Sequence, residues 1–299
     1  MRMRASVSAA PSPDALQKLE MQGSSTDTLH LLCPAGIGDF AWIWAKFSTV
    51  ARERKLKFLF PEQEQHRADQ YCELVGADCG YIDGLNTQWV WRQAEMPDLP
   101  KRGGVISLHA NRYLETGRHL SSWYPELPLI YPKIKVPVSD TDVGDRGYVL
   151  VFTCHAGYMR GNLQVSSWVR VCKAIEKSIG RVRFVGAGAD VPFAKEIRHF
   201  IGGDPEDDLF NCRLGRVISA SRRAEMFVGV AGGPLIIGLM ENCPSYFFYP
   251  LHLTEMPGSW EPPDSPWGWC HVREAEERVL EGAVEELYQD VGPRFVHKH

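Results

Sequence analysis

The residues best suited to chemistry in this chain follow a predicted buried strand, in the segment Leu31-Leu-Cys-Pro-Ala-Gly36-Ile-Gly38-Asp39-Phe40. Gly36 and Gly38 allow a tight turn and leave the backbone open to a ligand. Asp39 falls in the first turn of a helix that we predict to begin near Phe40, where a carboxylate suits the helix dipole. At the carboxyl edge of a parallel sheet this carboxylate could act as a general base, or it could serve only as a helix cap.

A second glycine turn, Val228-Gly-Val-Ala-Gly232-Gly233-Pro234-Leu235, also leads from a strand into a helix. Backbone N–H groups at a helix start can hold a diphosphate without any side chain. Pro234 fits the first helical turn, where its missing N–H is not needed. A tight turn without a ligand would have the same sequence, so Gly232, Gly233 and Pro234 are candidate phosphate-binding residues.

Two further turns contain candidate ligands for phosphate. The segment Val185-Gly-Ala-Gly188-Ala-Asp190 follows a strand, although its glycine spacing is poor for a dinucleotide fingerprint. The loop Thr153-Cys-His155-Ala-Gly-Tyr-Met-Arg160 ends in a guanidinium that could clamp a phosphate. Arg160 could equally be a surface residue, and His155 could be a hydrogen-bonded loop residue.

A dense polar cluster, Leu108-His109-Ala-Asn111-Arg112-Tyr-Leu-Glu115, follows another predicted strand. Asn111 and Glu115 could bind hydroxyl groups or a base edge, and Glu115 is a second candidate base. The same residues could form a capped loop with solvated charges. Between positions 101 and 135 the sequence has six Lys or Arg residues and only two Glu, and tryptophans lie nearby in sequence. Basic residues mixed with aromatic ones suit a phosphate-bearing partner.

The composition is that of a globular protein, with 299 residues, 44% hydrophobic and 23% charged. This length suggests two domains, and a net charge of −4 argues against general binding of polyanions. Eight cysteines without a Cys-x-x-Cys pair favour reduced thiols and a cytoplasmic location. We find no apolar stretch long enough to span a membrane and no targeting signature in the first 27 residues.

Predicted strands and helices alternate along the chain, and this order indicates parallel sheets built from βαβ units. We expect a disordered arm at 1–27, a first Rossmann-like domain at 28–135, a linker at 136–147, a second Rossmann-like domain at 148–273 and a closing helix and tail at 274–299. The two sheets are expected to face a cleft. The first predicted helix covers 39–54, the last strand 245–249 and the closing helix 274–289. The other predicted strands cover 29–35, 57–60, 79–82, 105–108, 148–154, 182–185, 209–213 and 226–230.

The glycine turns resemble those of the two-domain glycosyltransferases of the heptosyltransferase type (family 9), which have the GT-B fold. The residues that carry the resemblance are Gly36-Ile-Gly38-Asp39 with Trp42, Val228-Gly229, Gly233-Pro234 and Phe248-Tyr-Pro250. The chain departs from the family where Ala231, Gly232 and Ile236 replace an aspartate, a Ser or Thr, and a histidine. The family's side-chain contacts to an ADP-heptose donor are therefore missing at this loop, whereas a backbone cradle could remain.

The resemblance implies an enzyme that transfers a sugar from a nucleotide-sugar donor to an acceptor hydroxyl with inversion, by direct displacement and without a metal or other cofactor. Asp39, or in second place Glu115, would be the base. The implied acceptor-binding residues are His109, Asn111 and Arg112. Because of the departures, the family's donor-binding residues cannot be carried over as a set. The donor-binding candidates are those of the chain's own turns and loops: Gly38, Thr153, His155, Arg160, Gly188, Asp190, Gly232, Gly233 and Pro234. No obligatory protein partner is implied.

Three alternatives remain open from the sequence. Small GT-B proteins that begin with Gly-Ile-Gly-Asp-Phe also resemble bacteriophage proteins that modify hydroxymethylated DNA bases in the host cytoplasm, so the acceptor could be a saccharide or DNA. DNA binding should weaken steeply with salt, and saccharide binding should not. The chain could also be a non-catalytic nucleotide-sugar binding protein, or a nicotinamide dehydrogenase in which Glu62 binds the ribose.

Overall fold

A computed structural model of the chain describes residues 28–33, 36–62, 65–82, 105–107, 125–153, 164–230, 232–248 and 270–272. The chain divides into two compact units, and it passes from the first to the second between Lys135 and Val136. Within the described ranges, no helix is long and apolar enough to cross a membrane. The predicted arm at 1–27 and the predicted helix at 274–289 lie outside these ranges.

The first unit contains a four-stranded parallel sheet in the order β3-β2-β1-β4. Its strands are β1 (Thr28–Leu32), β2 (Lys55–Pro61), β3 (Asp78–Ile82) and β4 (Val105–Ser107). Helix α1 (Ile37–Phe47) and the 3-10 helix Val50–Arg52 connect β1 to β2, and helix α2 (Gln65–Val75) connects β2 to β3. The sequence predicted these strands and their parallel order of βαβ units.

Helix α1 forms the centre of the first core. Its apolar sequence is buried on nearly all sides, and Phe40 makes edge-to-face contacts with Phe58, Phe60 and Tyr71 at centroid distances of 5.0, 4.9 and 5.1 Å. The helix ends at Phe47, earlier than predicted. Ser48 Oγ donates to Ile130 O (2.9 Å) at this end, a tertiary contact that local periodicity does not contain.

The second unit contains a six-stranded parallel sheet in the order β10-β9-β8-β5-β6-β7. Its strands are β5 (Tyr148–Phe152), β6 (Arg181–Gly186), β7 (Leu209–Phe210), β8 (Met226–Val230), β9 (Ser245–Phe248) and β10 (Cys270–Val272). Its helices are α3 (Val165–Ser178), α4 (Asp190–Ile201), α5 (Leu214–Ser221) and α6 (Gly233–Met240), with 3-10 helices at Val138–Asp140 and Pro205–Asp207.

Strand β10 corrects the sequence prediction, in which residues 245–249 were the last strand. Cys270 pairs with Tyr246, so a further parallel strand lies beyond β9. The strand has only three residues and follows a segment rich in Pro, Gly and Trp, whose composition favours loops. Pairing with β9, rather than local pattern, defines this strand.

A buried ion pair joins α4 to the residue before β7. Arg198 Nε lies 3.0 Å from Asp208 Oδ2, and the two side chains are 4% and 0% exposed. Arg198 also donates to the carbonyls of Val182 (2.9 Å) and Gly202 (3.1 Å), while Asp208 Oδ1 accepts from Phe184 N (2.8 Å). These bonds fulfil most of the polar requirements of both groups, as a buried pair requires.

The first four strands of each unit, taken in chain order, are arranged in the same way in the two sheets. In each unit the first strand has the second and third strands on one side and the fourth on the other. The order therefore reverses between β1 and β4 and again between β5 and β8. In open α/β sheets, the carboxyl ends of the strands at such a reversal are the usual place for a ligand.

Candidate functional site

The Gly36–Asp39 turn lies at the carboxyl end of β1, at the reversal point of the first sheet. Gly36 is the N-cap residue of α1, with φ −78° and ψ 130°, and Phe40 N donates to its carbonyl at 3.0 Å. The helix thus begins at Ile37, two residues before the predicted range of 39–54. Asp39 lies in its first turn and is not the N-cap residue.

The Asp39 carboxylate folds back against Gly36. A Cβ atom on Gly36 would lie 2.7 Å from Asp39 Oδ2 and 3.5 Å from its Cγ. Since the φ angle of Gly36 is accessible to any residue, a side chain here would be opposed by the Asp39 carboxylate and not by the backbone conformation. The carboxylate therefore lies beside the start of the helix, where backbone amides favour negative charge.

The residues around this turn are mostly buried and closely packed. A small crevice under the helix start is lined by Gly36, Ile37, Phe40, Phe60, Ala68 and Tyr71. Tyr71 is fully buried, and its hydroxyl lies 2.7 Å from that of Tyr131. Cys33, just before the turn, is fully buried, and burial raises the pKa of its thiol well above the ordinary value of 9.0. This thiol stays neutral and is a poor nucleophile.

Of the residues predicted in the first unit, Gly38 and Asp39 share one turn. Gly38 is buried in the first turn of α1. Strand β4 pairs with β1 through Leu32 and Ser107, so the two strands end at the same edge of the sheet. The other predicted residues of this unit, His109, Asn111, Arg112 and Glu115, lie outside the described residues, and their roles stay predictions.

At the reversal point of the second sheet, Thr153 directly follows β5. The residue is 1% exposed, and its hydroxyl oxygen has no hydrogen-bond partner among the described residues. A buried hydroxyl without a hydrogen-bond partner destabilises the folded state by about 1–3 kcal/mol. We therefore expect this hydroxyl to bind an atom that the described residues do not supply. Sequence reasoning named Thr153 as a donor-binding candidate but could not predict its burial.

Across this reversal point, the Gly232-Gly233-Pro234 turn begins α6. Gly232 is the N-cap residue, with an extended backbone (φ −173°, ψ 173°), and its carbonyl accepts from Ile236 N at 3.0 Å. Pro234 lies in the first turn, as its sequence context predicted. The first amides of a helix have no partner within the helix and point outward from its start. The turn therefore has the geometry needed to bind an anion.

The Gly188 turn has partners of its own. Gly188 has a positive φ of 56°, and its N–H donates to Asn211 Oδ1 at 3.0 Å, while Asn211 N donates to Gly186 O at 2.9 Å. Asp190 is the first residue of α4. Sequence reasoning missed Asn211, which links the ends of β6 and β7. Asparagine adopts a positive φ several times more often than most other residues. An Asn after a short apolar run was therefore the signal from which this turn could have been predicted.

Apart from Gly38, which lies in the first unit, the described donor-binding candidates are distributed over neighbouring strand ends of the second sheet. Thr153 follows β5, the Gly232 turn follows β8 and the Gly188 turn follows β6, and β5 lies between β6 and β8. His155 and Arg160 lie outside the described residues. The donor-binding roles of all these residues stay predictions.

Comparison with known proteins adds evidence on the fold. No protein-family model matches the sequence, and no curated protein matches it. Several solved structures, in contrast, are similar to this chain. A family 9 glycosyl transferase from Veillonella parvula is 14% identical with a TM-score of 0.58, covering 90% of this chain and 99% of that chain.

Two E. coli enzymes are similar to the same extent. The ADP-heptose lipopolysaccharide heptosyltransferase II is 13% identical with a TM-score of 0.54, covering 87% of this chain and 99% of that one. The heptosyltransferase WaaC with ADP-2-deoxy-2-fluoro heptose is 12% identical with a TM-score of 0.53, covering 88% and 99%. Together with its two parallel sheets, these similarities show that the chain has the α/β fold of the GT-B glycosyltransferases.

Proposed function

We propose that this protein is a glycosyltransferase that moves a sugar from a nucleotide-sugar donor to an acceptor hydroxyl. The observation that carries the proposal is the Asp39 carboxylate, held against Gly36 at the start of α1 in a chain with the GT-B fold. The second support is the pair formed by the buried Thr153 hydroxyl and the helix start at Gly232, on either side of the β5–β8 reversal point.

In the proposed reaction, Asp39 accepts the proton of the acceptor hydroxyl as its oxygen attacks the anomeric carbon. The bond from that carbon to the diphosphate oxygen breaks, and both electrons leave with the nucleoside diphosphate. Attack opposite the leaving group inverts the anomeric centre. Helix-start amides at Gly232 and Gly233, the Thr153 hydroxyl and Arg160 would stabilise the charge on the leaving group without a metal ion.

The proposed donor contact follows from the second glycine turn, Val228–Leu235, where this chain differs from the family that it resembles. Ala231, Gly232 and Ile236 have no side chain that could hydrogen-bond to a diphosphate. Backbone amides can bind phosphate at a helix start without such side chains. We therefore propose a nucleotide-sugar donor whose sugar need not be heptose.

The acceptor in this proposal carries phosphate, because the 101–135 stretch has six basic residues against two acidic ones. A phosphorylated saccharide and a hydroxymethylated DNA base both fit this charge. Measuring acceptor affinity at several salt concentrations separates them, since neutralising many DNA phosphates makes affinity fall steeply with salt.

The first test is a thermal-shift panel of nucleoside diphosphates and nucleotide sugars, because a ligand that binds only the folded protein raises the Tm. The second is Asp39→Asn, with Asp78→Asn as a control at an exposed position in the same unit. Asp39→Asn should bind the donor normally and lose turnover, whereas the control should retain both.

Three results would contradict parts of the proposal. If no nucleotide shifts the Tm, the protein is not a nucleotide-sugar transferase. If Asp39→Asn turns over at the wild-type rate, Asp39 is not the base. If the wild-type protein binds donors but releases no nucleoside diphosphate with any acceptor, it is a non-catalytic binding protein.

A further inference from the structure

Phe152, the last residue of β5, packs against two glycines of the β8–α6 segment. Phe152 is 5% exposed. Gly229 is its register partner in β8, and a Cβ atom on Gly229 would collide with the Phe152 carbonyl oxygen and lie 3.0 Å from Phe152 C and Cβ. A Cβ atom on Gly232 would lie 2.6 Å from Phe152 Cε1 and 3.5 Å from Cδ1 and Cζ. Gly229 therefore leaves room for the Phe152 main chain, and Gly232 leaves room for its ring.

The ring, and not the backbone, explains why position 232 is glycine. The extended conformation of Gly232 is open to any residue, so no left-handed geometry requires glycine here. A Ser or Thr at this position, as in the glycosyltransferases that the chain resembles, would collide with the Phe152 ring. The aromatic ring at 152 and the absence of a side chain at 232 are thus linked features.

Phe152 also connects the two groups that could bind a ligand. Thr153, the next residue, has the buried hydroxyl that lacks a partner among the described residues. Gly232 and Gly233 carry the amides at the start of α6, an eight-residue helix. The ring contact fixes the α6 start relative to the end of β5, and so fixes the amides relative to the hydroxyl.

From these contacts we infer that Phe152 is a positioning residue for the diphosphate of the bound nucleotide, an inference that rests on the proposed function. Its ring takes the space of a hydroxyl-bearing side chain at position 232 and holds the α6 amides in place. Recognition then depends on backbone amides and on the Thr153 hydroxyl. The ligand class is a nucleoside diphosphate, and inorganic pyrophosphate is its smallest probe.

The test is a set of four proteins titrated with ADP, UDP and pyrophosphate by calorimetry: wild type, Gly232→Ala, Phe152→Leu and the double variant. Gly232→Ala must displace either the ring or the helix start by several tenths of an ångström or more, and we expect affinity to fall by at least about tenfold. Phe152→Leu alone removes the ring edge that contacts Gly232, so it should also weaken binding. In the double variant the new methyl group at position 232 takes the space of that ring edge, so affinity should return to within about threefold of wild type.

Gly238→Ala is the matched control. Gly238 lies toward the other end of α6, and its Cβ atom would collide with Phe227 Cδ1 and lie 3.1 Å from Cε1, so the same substitution again meets a buried ring. A purely structural effect would lower the Tm of both alanine variants. We expect only Gly232→Ala to weaken diphosphate binding, with the Gly238→Ala affinity within about threefold of wild type.

The outcomes separate this inference from the proposed function. If the wild-type protein binds none of the three probes, the proposed function fails and the inference fails with it. If the wild type binds a probe and Gly232→Ala binds it equally well, only the positioning role is wrong. The same conclusion follows if Phe152→Leu does not restore binding to Gly232→Ala, because the ring would then not be the cause of the loss.

Discussion

Gly36→Ala tests the proposed base by displacing the Asp39 carboxylate without removing it. The new methyl group would lie 2.7 Å from Asp39 Oδ2, whereas ordinary contact begins at 3.4 Å, so the oxygen must retreat by about 0.7 Å. The atom displaced is the end of a flexible side chain, and the main chain need not move. The carboxylate remains ionisable but lies in the wrong place.

The stability of Gly36→Ala should hardly change. Alanine is a poorer N-cap residue than glycine by about 0.5–1 kcal/mol. Against this, replacing glycine at a φ of −78° reduces the entropy of the unfolded chain, which stabilises the native state by about 0.4–1 kcal/mol. These opposing effects nearly cancel, and the Tm should stay within about 2 °C of wild type.

Turnover, in contrast, should fall. Because a displacement of about 1 Å in a reacting group can cost about 100-fold in rate, we expect a loss of about 10- to 100-fold in kcat. The assay is release of nucleoside diphosphate from whichever nucleotide sugar gives the largest thermal shift. The affinity for the nucleoside diphosphate product should stay at the wild-type value, since the proposed phosphate contacts lie in the second unit.

Gly80→Ala is the control for this experiment. Its methyl group would lie 2.7 Å from Lys57 Cε, so it meets the end of a flexible side chain at the same distance and in the same unit, away from Asp39. We expect wild-type turnover from Gly80→Ala. Equal turnover by Gly36→Ala and Gly80→Ala would refute the reasoning, because the position of the Asp39 carboxylate would then not matter to the reaction.

Two further predictions concern the stability of the fold. Burial raises the pKa of Cys33, Cys72, Cys172 and Cys243 above the ordinary 9.0, so these thiols remain protonated in the native state while unfolded thiols ionise. The stabilisation is complete below pH 9 and is lost as the pH rises above it. At pH 10 the loss is about 3 kcal/mol for Cys33 and Cys72 in the first unit, and about 3 kcal/mol for Cys172 and Cys243 in the second. Urea unfolding under reducing conditions at pH 8 and pH 10 measures this loss, and equal stability at both would contradict it. Cys172→Ala with Cys243→Ala should reduce the pH dependence of the second unit, where Cys212 and Tyr148, whose pKa values burial also raises, still contribute. Arg198→Met should destabilise the second unit by about 3–5 kcal/mol, because it leaves the carboxylate of Asp208, which is 0% exposed, without its counter-charge. Adding Asp208→Asn should recover part of the lost free energy of unfolding, measured with urea. If Arg198→Met alone lowers the free energy of unfolding by less than about 1 kcal/mol, the ion pair is not important for stability.

Much of the fold could be predicted because its cause is local. Apolar runs such as Tyr148–Phe152 and the glycine turns after them repeat along the chain, and this alternation indicates parallel sheets. The start of α6 at Gly232-Gly233-Pro234 was also predictable, since proline fits a first helical turn. The end of α1 and the existence of β10 were not, because Ile130 and β9 supply the determining contacts from distant parts of the chain.

The candidate site shows the same division. By itself, the sequence determined which residue types follow each strand: an acid after Gly36 and Gly38, a hydroxyl at Thr153, and glycines before Pro234. Only the tertiary structure decided what surrounds them. It buried the Thr153 hydroxyl and set the Phe152 ring against Gly232. The physical reason is that turn chemistry depends on adjacent residues, whereas burial and close packing depend on strands that are paired across the sheet.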